Sequence, residues 1–406
     1  MRLLSRVASV ALVMSVVAAC GAQTATPNLV VPTPSLTSGA TSLASGTTAA
    51  PTSAVQLGKF TRTGSMTGPR QSQTDGLLAD GRVLIVGGQD DNGATLASAE
   101  IYDPKTGKFT ATMFVNGTSQ TLSMKTARWG QTETVLQDGR VLITGGENED
   151  EIPLDTTEIF DPTTGTFTAG GKMSVGRVSH TATLLQNGKV LVAGGADVNN
   201  NGIASADLFD PSTNTFTATG KMTSGRASQA ASLLKDGRVL ITGGQDENGN
   251  PLSTAEIYDP TTGTFTATGS MTTQRFGQTS TVLNNGQVLV AGGEDANDTL
   301  LQSAEVFDPT AGTFTATDSM TTTRVAHTAN LLPDGMVLIA GGVDADSNGV
   351  ASAELFNPAD GSFTATGSLN DARGDHTATT LADGRVLVAG GADAQTVYDT
   401  AEIYQP

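Results

Sequence analysis

The sequence is poor in cysteine, tryptophan, histidine and charged residues. Its 406 residues include one cysteine, one tryptophan and three histidines. With one thiol, no disulfide can form within a single chain, so packing alone must stabilise the fold. Charged residues account for only 15% of the chain, which is too few for long amphipathic surface helices. The formal net charge of −18 argues against nucleic acid as a partner, because phosphate backbones are bound by basic surfaces.

The first 20 residues combine two early arginines with an apolar run that is too short for a stable membrane-spanning helix. The run ends in Val17-Ala18-Ala19-Cys20. This ending resembles the lipobox of bacterial lipoproteins, in which the cysteine is acylated and becomes the new N-terminus after cleavage. We therefore expect residues 1–19 to be a signal peptide and Cys20 to anchor an exported protein to the outer face of a bacterial membrane. The alternative is an ordinary signal peptide with a chance cysteine.

The segment from Cys20 to residue 56 is rich in Thr, Ser, Ala and Pro and almost uncharged. Such a composition cannot bury enough apolar surface to offset the entropy of ordering. We expect a flexible tether that holds the folded domain, residues 57–406, clear of the lipid surface.

Glycine, by contrast, is abundant, and fourteen of the 48 glycines form seven Gly-Gly pairs that recur at a regular spacing. The pairs lie at 87–88, 145–146, 194–195, 243–244, 292–293, 341–342 and 390–391. Successive second glycines are 58, 49, 49, 49, 49 and 49 residues apart. A repeat of about 50 residues predicts a β-propeller, and seven units lie within the usual range of roughly 4–8 blades.

One unit, residues 324–367, predicts four strands, which we name a to d in chain order. They are predicted at 327–332, 336–340, 352–356 and 362–366. Strand b is apolar without alternation, as expected for a strand covered on both faces by neighbouring blades. Asp334-Gly335, between strands a and b, predicts a type I′ turn, in which both turn residues need positive φ. Every unit has such an Asp-Gly or Asn-Gly pair, at 80–81, 138–139, 187–188, 236–237, 285–286, 334–335 and 383–384.

Each unit therefore has an arginine before strand a, Gly-Gly after strand b, an aromatic residue near the end of strand c and another at the start of strand d. This pattern resembles the kelch motif over residues 58–406. The resemblance implies an all-β, seven-bladed β-propeller of the kelch type. Kelch repeats usually carry Trp on strand d, whereas here Phe60, Phe109, Phe167, Phe216, Phe265, Phe314 and Phe363 occupy that place.

The two ends of the chain predict how the ring closes. The last unit stops after strand c, at Ile403-Tyr404-Gln405-Pro406, and a strand-d sequence is found instead at 59–64. A propeller must close to avoid unpaired sheet edges. We therefore expect the N-terminal strand to complete the seventh blade.

The two faces of such a disc differ in their variability. The a–b and c–d turns lie on one face, the turn face, and the b–c and d–a connections lie on the other, the loop face. The turn face is nearly the same in every unit, whereas the loop face carries nearly all of the variation. Variation on a constant scaffold marks selection for something besides folding. We therefore expect the loop face to bind an extracellular glycan, peptide or protein.

The arginine that precedes strand a in each unit is the first candidate for ligand binding. In kelch domains that recognise acidic peptides, arginines in this register can serve as ligand contacts, and guanidinium groups suit bidentate carboxylate recognition. The alternative is that each arginine pairs with an acid of strand c. The presence of the arginine in every unit favours this structural role. The arginines are Arg70, Arg128, Arg177, Arg226, Arg275, Arg324 and Arg373, and the acids are Glu100, Glu158, Asp207, Glu256, Glu305, Glu354 and Glu402.

Four aromatic residues fall outside the repeat pattern. Phe114, Trp129, Phe276 and Tyr398 lie in or beside d–a or b–c connections. They predict either local packing beneath the loops or an aromatic cluster that grips sugars or peptides. Unit 1 also has nine extra residues within 113–124, which we expect to rise from the loop face.

One acidic b–c loop has the spacing of a calcium site. Asp344, Asp346 and Asn348 precede Gly349 in the D-x-D-x-N-G pattern, in which alternate oxygen-bearing side chains can surround a hard cation. The closing bidentate glutamate of an EF-hand is absent, since position twelve is Leu355. The alternative is an ordinary Asx-rich turn. The pattern predicts at most a weak calcium site, and no other cofactor is expected.

An enzyme is the alternative to a binding module, because kelch propellers include galactose oxidase and sialic-acid epimerases. The copper site of galactose oxidase needs a cysteine cross-linked to tyrosine, and the one cysteine here is Cys20. His180, His327 and His376 share one register with four glutamines, which predicts structural hydrogen bonding rather than metal ligation. The sequence thus favours a non-catalytic binding module, with a glycan-active oxidase or epimerase as the alternative.

Overall fold

The computed structural model describes residues 58–115 and 117–406, so the predicted signal peptide and tether, 1–19 and 20–56, lie outside the described residues. The described residues form thirty β-strands and no helix. Twenty-eight strands make seven antiparallel four-stranded sheets, and two make a separate hairpin. The predicted all-β, seven-bladed propeller is confirmed.

Each blade places its four strands in the order a to d. Blade 1 is β2 Thr74–Leu77, β3 Val83–Val86, β4 Ala99–Asp103 and β5 Lys108–Thr110, followed by the hairpin β6 Thr112–Val115 and β7 Thr118–Thr121. Blade 2 is β8 Thr132–Val135, β9 Val141–Thr144, β10 Thr157–Asp161 and β11 Thr166–Ala169. Blade 3 is β12 Thr181–Leu184, β13 Val190–Ala193, β14 Ala206–Asp210 and β15 Thr215–Ala218. Blade 4 is β16 Ala230–Leu233, β17 Val239–Thr242, β18 Ala255–Asp259 and β19 Thr264–Ala267.

The remaining blades continue this order and close the ring. Blade 5 is β20 Thr279–Val282, β21 Val288–Ala291, β22 Ala304–Asp308 and β23 Thr313–Ala316. Blade 6 is β24 Thr328–Leu331, β25 Val337–Ala340, β26 Ala353–Asn357 and β27 Ser362–Ala365. Blade 7 is β28 Thr377–Thr380, β29 Val386–Ala389, β30 Ala401–Gln405 and, from the other end of the chain, β1 Lys59–Arg62.

The N-terminal strand completes blade 7, as the two ends of the chain predict. Phe60 of β1 lies opposite Tyr404 of β30, and their ring centroids are 4.8 Å apart. In the other six blades the equivalent strand-c and strand-d rings are 4.8–5.0 Å apart. The closing pair therefore packs in the same way as the pairs formed within a continuous blade.

Strand b is the most buried strand of each blade, because apolar side chains on both of its faces pack against neighbouring blades. The innermost strand, strand a, packs against strand a of both adjacent blades around the whole ring. Side chains of strand a are thus held between blades or near the central channel.

The a–b turns differ from the predicted type I′ geometry. In blade 1 Gly81 has φ +87°, whereas Asp80 does not have positive φ. The N–H of Gly81 donates to the Leu78 carbonyl, and the N–H of Leu78 donates to the Arg82 carbonyl. These bonds define a three-residue loop in which a type I turn is followed by a left-handed glycine. The type I′ prediction was wrong because the loop contains one residue more than the Asp-Gly pair suggests.

Candidate functional site

The seven arginines before strand a are buried inside their own blades. Each is at most 2% exposed, and its Nη2 lies 2.8–3.4 Å from a carboxylate oxygen of the strand-c acid. In blade 5, Nη1 of Arg275 also donates to the carbonyls of Gly292 and Ser303, at 2.8 and 3.0 Å. Burial lowers the pKa of every one of these arginines, and the paired acid opposes that shift.

These contacts confirm the ion pairs that the sequence offered as one alternative. In each blade Nη1 of the arginine donates to two backbone carbonyls, one at the Gly-Gly pair and one just before strand c. Nη2 donates to the carboxylate of the strand-c acid. A role of the arginines in ligand binding stays a prediction. It would require a guanidinium group to leave a buried site in which its charge is already paired.

The glutamine and histidine register joins adjacent blades. His180 of blade 3 lies with Nε2 3.0 Å from the hydroxyl groups of Thr132 and Thr144 in blade 2. In blade 5, Nε2 of Gln278 donates to the Thr242 carbonyl of blade 4 at 2.8 Å. Burial lowers the pKa of His327 and His376 to about 3, so both are neutral. The register therefore supplies polar contacts between blades.

The backbone encircles the loop-face end of the channel. Two residues after each arginine, the chain has φ between +51° and +65° in all seven blades, at Ser72, Gly130, Ser179, Ser228, Gly277, Ala326 and Asp375. Amide groups of this ring donate to carbonyls of the preceding blade, as in Ser72 N–H to Asp375 O at 3.1 Å and Ser228 N–H to Ser179 O at 3.0 Å. Sequence reasoning missed this ring, whose visible signal is a small residue at that register in most units.

Asp375 is the ionisable member of this backbone ring. Burial raises the pKa of Asp375 to about 7, and its Oδ1 has no hydrogen-bond partner among the described residues. Its left-handed φ of +51° is uncommon for any residue other than glycine. A carboxyl group that titrates near neutral pH thus lies at the mouth of the channel.

Two further acids lie between the inner strands of blades 7, 1 and 2. Asp75 on β2 accepts a hydrogen bond from Thr379 of blade 7, and Glu133 on β8 accepts one from Thr74 of blade 1 at 3.1 Å. The other five blades have Ala or Ser at this register. Glu133 fits because the facing residue is Gly76, where a Cβ atom would overlap Oε1 of Glu133.

Both of these acids are difficult to ionise in the folded protein. Burial raises the pKa of Asp75 to about 6, although the hydrogen bond from Thr379 lowers it in part. Burial, and secondarily the neighbouring Asp75 charge, raises the pKa of Glu133 well above its ordinary value. Glu133 is 7% exposed, and its Oε1 has no hydrogen-bond partner among the described residues. The pair was missed in the sequence, although its departure from Ala and Ser was visible there.

Glu133→Gln is expected to stabilise the protein at pH 8 and to leave its stability at pH 4 unchanged. The folded protein holds the Glu133 proton more tightly than the unfolded chain does. The stability from this group is therefore complete below pH about 4.5 and is lost as the pH rises through the folded pKa. Each unit of pKa corresponds to about 1.4 kcal/mol. The melting temperatures of the wild-type protein and the variant, measured at pH 4 and pH 8, would test this expectation. An equal difference in melting temperature at the two pH values would show a packing effect instead.

Trp129 and Phe276 lie at the loop-face side, each directly after a buried arginine, and both are themselves buried, at 7% and 6% exposed, as the local-packing alternative predicts. Trp129 and Glu147 form an antiparallel bridge with hydrogen bonds in both directions, at 3.1 and 2.9 Å, and Phe276 and Glu294 do the same at 3.1 and 2.9 Å. Residues paired in this way have neighbouring side chains on one side of the ladder. Each of the two aromatic rings therefore has a carboxylate neighbour, which sequence reasoning did not identify.

Tyr398 covers the arginine of blade 7. The Arg373 guanidinium carbon lies 4.9 Å from the centre of the Tyr398 ring, and the Tyr398 hydroxyl donates to Asp393 at 2.7 Å. The other blades have an aliphatic residue at the Tyr398 position, such as Leu252 in blade 4. The structure thus places Trp129, Phe276 and Tyr398 on the loop face but in three different blades.

Phe114 lies apart from these three aromatic residues. It belongs to the hairpin β6–β7, which leaves blade 1 where the outermost strand ends, and it is 79% exposed. Met113 packs against Gly165, in the c–d turn of blade 2. The nine extra residues were predicted to rise from the loop face. They lie instead at the outer edge between blades 1 and 2, because the insertion continues strand d beside the next blade.

The predicted calcium residues form an Asx turn. Oδ1 of Asp344 accepts the N–H groups of Asp346 and Asn348, at 3.0 and 2.9 Å. The equivalent residues of other b–c loops do the same, including the uncharged Asn148 in blade 2. This position therefore needs a hydrogen-bond acceptor rather than a charge. Calcium binding stays an untested prediction, and no group of three or more His, Cys, Asp or Glu in the described ranges is arranged to hold a metal ion.

Within the part of the chain that the structure describes, no helix has the length and hydrophobicity needed to cross a membrane.

Comparisons with known proteins agree with this geometry. The KLHDC2/KLHL20/DRC7 Kelch-repeats domain matches residues 132–342, just over half of the chain, and the Kelch motif matches residues 78–111. No curated protein matches the chain significantly.

Two similar solved structures show the same fold at low sequence identity. One, described as a novel fungal alcohol oxidase of the AA5 family in complex with copper, is 19% identical with a TM-score of 0.66, covering 86% of this chain and 76% of its own. The other, described as the structure of YjhT, is 16% identical with a TM-score of 0.57, covering 74% of this chain and 99% of its own. At these identities the likeness concerns the fold alone.

Proposed function

The chain belongs to the family of the KLHDC2/KLHL20/DRC7 Kelch-repeats domain, and from that premise we propose that it is a non-catalytic interaction module whose loop face binds a ligand. The observation that carries the proposal is the contrast between the blades' uniform interior and the loop face. The arginines, the inter-blade glutamines and histidines, and the turns repeat from blade to blade. Of the residues that differ, Trp129, Phe276 and Tyr398 lie on the loop face, whereas Asp75 and Glu133 lie between inner strands.

The proposed site of action is outside the cytoplasm. The N-terminal residues that suggest it, ending in Val17-Ala18-Ala19-Cys20, resemble a lipobox. On this proposal Cys20 carries the lipid and residues 21–56 separate the propeller from the membrane. Mass spectrometry of the N-terminal peptide from the intact protein tests the proposal, because an unacylated Cys20 would contradict it.

A glycan and peptide array probed with residues 57–406 tests the binding function, with Trp129→Val as the informative variant. Blades 3 and 6 have valine at this register, Val178 and Val325, so the blade accepts it. We expect binding to fall about tenfold or more, because an aromatic residue that contacts a ligand supplies about 2 kcal/mol or more. The control is Val178→Ala at the same register of blade 3, because blade 4 has alanine there, at Ala227. Equal loss in both variants, or no bound ligand at all, would contradict the proposal.

A glycan-active enzyme is the second candidate, favoured by one observation. Asp375 titrates near neutral pH at the channel mouth, as a general acid or base must. Conversion of an array-bound glycan, detected by mass spectrometry and lost in Asp375→Asn, would favour the enzyme over the binding module.

A further inference from the structure

The b–c connections give the loop face a strongly negative character. The seven segments are 89–97, 147–155, 196–204, 245–253, 294–302, 343–351 and 392–399. Together they contain seventeen Asp and Glu residues and no Lys, Arg or His. The seven arginines beneath them are buried and already paired with strand-c acids. The arginines therefore do not offset the charge of the loops above them.

Within these segments, glutamate follows the Gly-Gly pair in two blades only. These are blades 2 and 5, with Glu147 and Glu294, and they are also the blades in which an aromatic residue faces that position across the ladder. The same register holds Gln, Ala or Val in the other five blades, opposite Gln, Val, Ala or Gly. The aromatic residue and the glutamate therefore occur together, facing each other in the same two blades and in no other blade.

Glu147 is buried without a partner. The residue is 8% exposed, and no hydrogen bond or ion pair joins its carboxyl group to another described residue, although the carboxyl oxygens still reach solvent. Burial raises the pKa of Glu147 to about 7, and the charge of Glu151 adds to the shift. Glu294 shows the same direction, since burial raises its pKa and the charges of Asp298 and Asp295 add to it. A largely buried carboxylate that has no protein donor gains from a ligand that supplies a charged one.

We propose that Glu147 and Glu294, each beside its aromatic neighbour, are two subsites for the ammonium or guanidinium groups of a basic peptide that lies across the loop face. This inference rests on the proposed binding function and names its ligand class. Blades 2 and 5 are three blades apart in a ring of seven, so the subsites flank the mouth on nearly opposite sides. An apolar ring beside the carboxylate lowers the local dielectric constant, which strengthens an ion pair formed there.

The inference reverses the ligand charge suggested by the sequence. An arginine collar suits acidic peptides, whereas the structure buries the arginines and leaves unpaired carboxylates near the surface. A cationic partner satisfies both the local carboxylates and the negative field of the loops, which would also speed its association at low salt.

Titration of residues 57–406 with a hexalysine peptide at pH 8, where Glu147 is mostly ionised, tests the inference. Glu147→Gln is expected to weaken binding about tenfold, the loss typical of a hydrogen-bonded charge. Gln occupies this register in blades 1 and 4, as Gln89 and Gln245, so the fold accepts it. The matched control is Glu149→Gln, which makes the same change of net charge at an exposed position of the same loop. We expect less than a twofold effect there.

Three results would overturn the inference. These are no binding of hexalysine, equal weakening in Glu147→Gln and Glu149→Gln, and no additional weakening when Glu294→Gln is combined with Glu147→Gln. Hexaglutamate and a neutral Gly-Ser peptide serve as comparison probes. If either binds and loses affinity in Trp129→Val, the loop face is a binding surface but its ligand is not cationic, so the proposed function stands and the inference fails.

Discussion

Deleting residues 57–66 is expected to lower the melting temperature of the soluble domain by about 10 °C or more. The deletion removes β1, leaving β30 as an unpaired edge and blade 7 with three strands. It also removes Phe60, which is 5% exposed and packs on Tyr404. Loss of a buried phenylalanine side chain alone costs about 3–5 kcal/mol. Differential scanning calorimetry of residues 57–406 and 67–406 would measure the change.

A matched pair of substitutions separates ring closure from the loss of one aromatic side chain. Phe265 in blade 4 is the equivalent of Phe60, and it packs on Tyr258 with the same centroid separation of 4.8 Å. We expect Phe60→Ala and Phe265→Ala to destabilise by similar amounts and the deletion to destabilise more than either. A deletion with an unchanged melting curve would contradict the closure of the ring by β1.

The closure was predictable because it follows from the order of the strands along the chain. The last unit lacks strand d, and the sequence before the first unit contains one. Seven complete blades therefore require the N-terminal strand to pair with the last strand, which places Phe60 opposite Tyr404. The geometry of the a–b turn was less accessible. The Asp-Gly pair is compatible with a two-residue and a three-residue loop, and the hydrogen bonds of Leu78 decide between them.

The candidate site was predicted only in part, because its properties depend on which side chains are buried. The sequence identified the arginine register and its acids but not whether the guanidinium groups reach the surface. It showed Trp129 and Phe276 as departures from the repeat, yet their pairing with Glu147 and Glu294 depends on the local ladder beyond strand b. Asp75 and Glu133 were visible as departures in one register. Their significance required Gly76, whose missing side chain gives the Glu133 carboxyl group its space.

Arg275→Met is expected to destabilise the protein by about 3–5 kcal/mol, because it removes one partner of a buried ion pair. Arg275 is fully buried, and its Nη2 lies 3.2 Å from Glu305 Oε1. The substitution leaves Glu305 with the N–H groups of Thr272 and Thr273 but without its counter-charge. It also removes the donor to the Gly292 and Ser303 carbonyls. Urea denaturation at pH 7 would measure the loss.

The control for Arg275→Met is an arginine whose ion pair is on the surface. Arg238 lies 2.7 Å from Asp236, but the two side chains are 37% and 48% exposed. Arg238→Met is therefore expected to change the free energy of unfolding by less than about 1 kcal/mol, although its ion pair is the shorter one. The double variant Arg275→Met/Glu305→Leu should recover part of the lost stability, since no unpaired charge is then buried. A binding role for Arg275 makes the opposite prediction, with ligand affinity lost and stability kept. If Arg275→Met unfolded at the wild-type urea concentration, burial of the ion pair would not be what keeps an arginine at this position in all seven blades.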